Sequence, residues 1–239
     1  MASTETDHVK VLTGSDDSVK LESITAALQK EYLREILAGN RKTALEIIMD
    51  AYRGGYPIPG IYMDIFQEAM YEIGRLWETN RITVADEHMG TAITQYVMSN
   101  LYQHFEIADH QRGRLVVTGV QGELHQVGAN MVADVLESDG WNVQFLGTNV
   151  PAEGVIHSIS QHRADLFGIS STMLFNVPKV IQLVEAVRRE FGNSINIILG
   201  GGAFKALQKL PPELEGCIVA LDLREALERA RRGLPPAVK

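Results

Sequence analysis

The chain has 239 residues, 45% of them hydrophobic, and a mean hydropathy of -0.04, enough apolar material to bury one or two cores. A formal net charge of -8 and a pI near 5.4, with no five-residue basic cluster, exclude the electrostatic footprint of a nucleic-acid-binding surface. The single cysteine, Cys217 in "CIVAL", excludes an intrachain disulfide and reads as a small core residue; with no leader-like opening and no apolar run of ~18 residues, a cytoplasmic protein without a membrane span is expected.

In chain order, residues 1–20 are polar without a sustained period and read as a flexible arm that includes His8. From Leu21 to about Ile107 apolar residues recur at helical spacing in four segments: "LESITAALQKEYLREILAG", "RKTALEIIMDAYRGG", "IPGIYMDIFQEAMYEIGRLWE" and "VADEHMGTAITQYVMSNLYQHF". Gly39-Asn40, Gly54-Gly55 before Pro57, and Thr79-Asn80-Arg81 separate them as stop signals. A four-helix bundle over 21–110 follows, with Met49, Met63, Met70, Met89 and Met98 read as packing residues. Thr83 is a candidate N-cap for the fourth helix, with Asp86 three positions on as its capping-box partner. From that start Val84, Glu87, His88 and Thr91 fall on one helix face.

Beyond Arg112 the pattern becomes βα repeated five times. The strands are "RLVVTGV", "NVQFLGT", "LFGISST", "INIILGG" and "CIVAL", and helices begin near Val127, Ala152, Pro178, Ala203 and Leu223. The expected fold is α/β with an all-α N-terminal module: a bundle, then a flavodoxin-like, Rossmann-like parallel sheet of five strands over 112–234. Ligands dock at the carboxyl ends of such strands, where "GELHQVG", "SSTML" and "GGGAF" stand after the first, third and fourth. Gly119, Gly122 and Gly128 do not have dinucleotide spacing, and Ser170 stands where a receiver-type phosphorylation site wants an aspartate. What remains is His125, displayed from a loop with Glu123 two positions before it, a pairing suited to an imidazole metal ligand whose second N–H is held by a carboxylate. His104 and His110 flank the junction of the two halves, and His157 and His162 fall on a surface helix; these read as solvated or interface residues.

Glu123-x-His125-x-x-Gly128, Ser170-x-Thr172 and Gly201-Gly202 together resemble the signature of cobalamin-binding domains that take the cofactor base-off and His-on. The resemblance implies that His125 is the lower axial ligand of cobalt. It also implies that the displaced nucleotide tail runs past the hydroxyls of Ser170 and Thr172 and the close-approach glycines Gly201 and Gly202. Thr172 departs from the leucine common at its place. Trp77, nine intervening residues, then Glu87-His88 is similar to the motif of the adenosylcobalamin-dependent light sensors of the CarH/LitR type. Carried over, Trp77 lies over the adenosyl group, Glu87 accepts its hydrogen bonds, and His88 becomes an upper cobalt ligand after light breaks the cobalt–carbon bond, with Val84 beside them.

The light sensor is therefore the expected function, as a switch without enzymatic turnover and without a DNA-binding domain, acting through a protein partner or a change of homo-oligomeric state. Leu124 stands where some of those sensors have a basic residue. The alternative is a corrinoid methyl-carrier protein of a methyltransferase system. That class shares the two-module layout and commonly continues Gly-Lys-Asn where this chain has Gly128-Ala129-Asn130. A cobalamin-level sensor or chaperone is the third reading.

Overall fold

The computed structural model describes residues 15–109 and 112–232. Most of the expected arm, His8 and His110 lie outside these residues, while 15–20 begin the first helix. The N-terminal half comprises α1 (Ser15–Leu37), α2 (Arg41–Arg53), a third helix, and α5 (Val84–Tyr102). The third helix joins α3 (Ile58–Gly60), a π-helical turn Ile61–Phe66 and α4 (Gln67–Glu78) without a break, its junction residues holding right-handed helical dihedrals. Pro57 and Pro59 suit its start, where the first N–H groups have no intrahelical acceptor. Thr83 caps α5 as the sequence indicates: its hydroxyl accepts from Asp86 N–H at 3.2 Å, and the Asp86 carboxylate accepts from Thr83 N–H at 2.8 Å.

The second half alternates β1 (Gly113–Gly119), α6 (Val127–Ser138), β2 (Trp141–Phe145), α7 (Ala152–His162), β3 (Leu166–Ser170), α8 (Val177–Phe191), β4 (Asn196–Gly200), α9 (Gly202–Ala206), β5 (Ile218–Ala220) and α10 (Leu223–Arg231). All pairings are parallel and the strand order is β2-β1-β3-β4-β5, the flavodoxin-like order expected. Side chains alternate across the sheet: Leu115 and Val117 join one buried cluster and Val116 the other, as Ile198 opposes Ile197 and Leu199. The first cluster runs on into the bundle through Tyr62, Phe66, Ile73 and Leu101, so one apolar core spans both halves. Helices cover both faces, which is why the strands read as nearly unbroken apolar runs.

Strand order reverses between β1 and β3, and this places the loops after those strands side by side. No helix among the described residues is long and apolar enough to cross a membrane.

Candidate functional site

A cavity of about 860 Å³ opens between the bundle and the carboxyl ends of the strands. Its sheet side presents His125, Gly128, Ser170, Thr172, Gly201 and Gly202; its bundle side presents Trp77, Val84, Glu87, His88 and Thr91. All the candidate cofactor residues named from the sequence line it except Glu123, which is fully buried beneath His125. Of the ten large hydrophobic side chains exposed among the described residues, seven (Tyr71, Trp77, Val84, Leu124, Leu174, Phe175 and Leu221) line this one cavity. Trp77 is 38% exposed there. Such concentration of apolar surface marks a binding site for a large, mainly apolar ligand.

The carboxylate of Glu123 organises the floor. Its Oε1 accepts from the N–H groups of Leu124 and His125, each at 3.0 Å, and lies 2.5 Å from His125 Nδ1. Its Oε2 accepts from Thr172 N–H at 2.9 Å, Met173 N–H at 3.4 Å and the Asn176 amide at 3.1 Å. Burial pushes the Glu123 carboxyl up, but the bonds from His125, Thr172 and Asn176 outweigh it and bring the pKa down to about 2. An ionised Glu123 assigns the Nδ1 proton of His125 to this hydrogen bond and leaves the Nε2 lone pair for a ligand. The Glu123 bond raises the imidazole's own pKa, with burial opposing it and the charges of Glu123 and of Glu87, across the cavity, adding to it.

Two glycines shape the rest of the floor. Gly201 has φ of +102°, and a Cβ there would sit 2.3 Å from the Ser171 carbonyl oxygen, so only glycine lets the loop after β4 close against the loop after β3. Gly122 has φ of +85° and turns the chain toward Glu123, its N–H donating to the Asn149 side chain at 2.8 Å. On the bundle side, Glu87 accepts from Thr91 Oγ1 at 3.0 Å and pairs with His88 Nδ1.

These residues fit a corrinoid. The floor offers one imidazole with a fixed tautomer, the walls are apolar and wide, and Gly201 and Gly202 permit close backbone approach. A single imidazole whose Nε2 is left free suits a metal that arrives with its other donors already in a macrocycle. Residues 113–231 match the family profile described as "B12 binding domain", and residues 28–102 match a second profile of that description. This is a cobalamin-binding protein. It is 24% identical over 212 residues to dimethylamine corrinoid protein 1 of Methanosarcina acetivorans, covering 85% of this chain and 98% of that one. To the HTH-type transcriptional repressor CarH of Myxococcus xanthus it is 22% identical over 161 residues, 67% of this chain and 53% of the repressor. The Methanosarcina barkeri monomethylamine corrinoid protein superposes with a TM-score of 0.77 at 20% identity, over 87% of this chain and 99% of that chain, a likeness of fold.

Sequence reasoning missed part of this cavity's floor and rim. Asn176, fully buried at the start of α8, donates to a carboxylate 53 positions earlier in the chain, and Met173, which also lines the cavity, donates to it through its backbone N–H. Thr172, a candidate hydroxyl donor that lines the cavity, also holds Glu123 through its backbone N–H. Leu174 and Phe175 add apolar rim that an amphipathic pattern does not single out. His104 stands apart from the site, its ring 5.1 Å from Tyr52 beside a smaller cavity of about 330 Å³. His157 is exposed and His162 bonds the Asn142 carbonyl at 2.8 Å.

Proposed function

We propose that the protein is a corrinoid carrier: it holds cobalamin between its two modules through His125 and presents it to a partner enzyme of a methyltransferase system. The observation that carries this reading is a cavity between the two modules whose floor holds one pre-oriented imidazole. The corrinoid-protein relative, matched over 98% of its length, supports the same reading and outweighs the light sensor expected from the sequence. When bound, the cofactor would supply the reactive cobalt–carbon bond, transferable in a carrier and photolabile in a sensor. His125 would ligate from below, Glu123 would fix its ring and proton, and the tail would lie along Ser170, Thr172, Gly201 and Gly202. The chain itself catalyses nothing in this scheme; it binds, orients and excludes water.

The light-sensor reading is kept for one specific observation: Trp77, Glu87 and His88, spaced as in that class, all face the cavity from the bundle. One experiment separates the two. Protein loaded with methylcobalamin or adenosylcobalamin is titrated in the dark and its absorption followed under green light, with His88→Ala alongside. A carrier binds the adenosyl form no more tightly than the methyl form, and illuminated wild type and variant give the same spectrum. Conversion to a stable new spectrum that His88→Ala abolishes would overturn the carrier in favour of the sensor.

A further inference from the structure

The π-helical turn Ile61–Phe66 is unused by the site, although five of its six residues are buried; Asp64 is the exception. In an α-helix, positions five apart diverge by about 140° around the axis. In this turn the Gln67 N–H donates to the Tyr62 carbonyl, so residues 62 and 67 lie one above the other. Both reach the sheet domain. The Tyr62 hydroxyl donates to Asp134 Oδ2 at 2.9 Å, on the helix that follows the His125 loop, and Gln67 Oε1 accepts from Leu223 N–H at 2.8 Å, at the start of the helix that follows β5. Asp64, held by the Tyr56 hydroxyl at 3.0 Å, pairs with Arg224 at 3.0 Å, and one turn beyond Gln67 the Tyr71 ring carries Lys205 3.9 Å from its centroid.

We infer that this turn is the joint that sets the bundle's position over the cobalamin-binding domain, with Tyr62–Asp134 and Gln67–Leu223 as its two fastenings. Apolar burial alone is non-directional and would let the halves slide; hydrogen bonds made from one helix face to two different helices fix a register. Both anchored helices border the cavity, since Val127, Gly128, Leu223 and Ala226 line it, so the joint also sets how far Glu87 and His88 stand from His125. Tyr62 and Asp134 are positioning residues, acting through the placement of α5. Asp134 is further held by Asn130 Nδ2 at 3.2 Å, and burial raises its carboxyl to about 6, the mark of a carboxylate shielded between the two modules.

The test is the spin-label distance between exposed positions on the two modules, Lys42→Cys and Lys209→Cys in a Cys217→Ser background, in the full chain with and without cobalamin. Tyr62→Phe and Gln67→Ala are expected to broaden the distribution. Tyr32→Phe, which removes an equally buried hydroxyl bonded to Thr94 inside the bundle, is expected to leave it unchanged. In the loaded protein Tyr62→Phe should speed cobalamin release by about tenfold, the worth of one buried hydrogen bond to a charged group. Equal broadening in all three variants, or none in the first two, overturns the joint. Should Tyr62→Phe fail to fold, Gln67→Ala decides alone, being only partly buried. The cofactor-free measurement does not depend on the carrier reading, so the two can fail separately.

Discussion

The two sides of the cavity are built differently. Beneath His125, Glu123 gathers donors from residues 49, 50 and 53 positions away, so the floor exists only once β1 and β3 are paired and their loops meet. Facing it, the side chains of Glu87, His88 and Thr91 bond one another within four residues of a single helix, and the His88 side chain is 74% exposed. A group fixed by distant parts of the fold is paid for at folding and costs nothing at binding; a group fixed locally stays adaptable. The floor should therefore carry affinity, and the roof should govern what happens to the upper ligand.

The largest break in that comparison is His125→Ala, expected to weaken cobalamin uptake by more than about a hundredfold in an absorption titration, since loss of a ligand exceeds the 10–100-fold cost of losing its supporting partner. Undiminished uptake would remove the floor's claim to affinity. Gly201→Val follows, with an expected loss of about 2–4 kcal/mol of stability in denaturant unfolding, because the new Cβ meets a backbone oxygen at a positive φ. Glu123→Gln leaves a carboxamide where six N–H donors converge, and is expected to cost about 10–100-fold in affinity. His88→Ala should be smallest, changing dark affinity by less than about threefold, as a solvated side chain outside any long-range network would.

A fifth measurement concerns pH. Asp134 is raised from 3.8 to about 6, first by burial and then by the charge of Glu137, with the Tyr62 hydroxyl opposing. The folded state thus holds this proton more tightly than the unfolded chain: the ionised group costs stability above pH 6, and the cost is relieved as pH falls from 6 toward 3.8. Asp134→Asn is expected to gain about 1–2 kcal/mol at pH 7.5 and nothing at pH 4, read from urea unfolding at both values. It keeps a carbonyl acceptor for the Tyr62 hydroxyl, whereas Tyr62→Phe removes the donor and leaves the Asp134 carboxylate without it.

Much of this was legible in the sequence. Helical spacing places the four helical segments, and short apolar, β-branched runs place the five strands, because a sheet covered by helices on both faces buries nearly every position. Glu123 and His125 were legible because their bond closes within one loop, and Val84, Glu87 and His88 because a capping box fixes where their helix begins. Asn176 and the Thr172 and Met173 amides were not, since the contacts span about fifty residues and every residue type offers a backbone N–H. Nor was the π turn: a densely apolar stretch such as "IYMDIF" fits a buried α-helix as well as a π-helix, and only the backbone bond from Gln67 to Tyr62 tells them apart.

The missing side chain at position 201 has an effect on how this molecule can be altered. With its α-carbon packed against the Ser171 carbonyl, the segment leaving β4 and the one leaving β3 form a single shape, although thirty residues of chain separate them. Grafting either segment from another protein without its mate would produce a collision or a gap. Anyone re-engineering the range of corrinoids accepted here would have to exchange both as a pair.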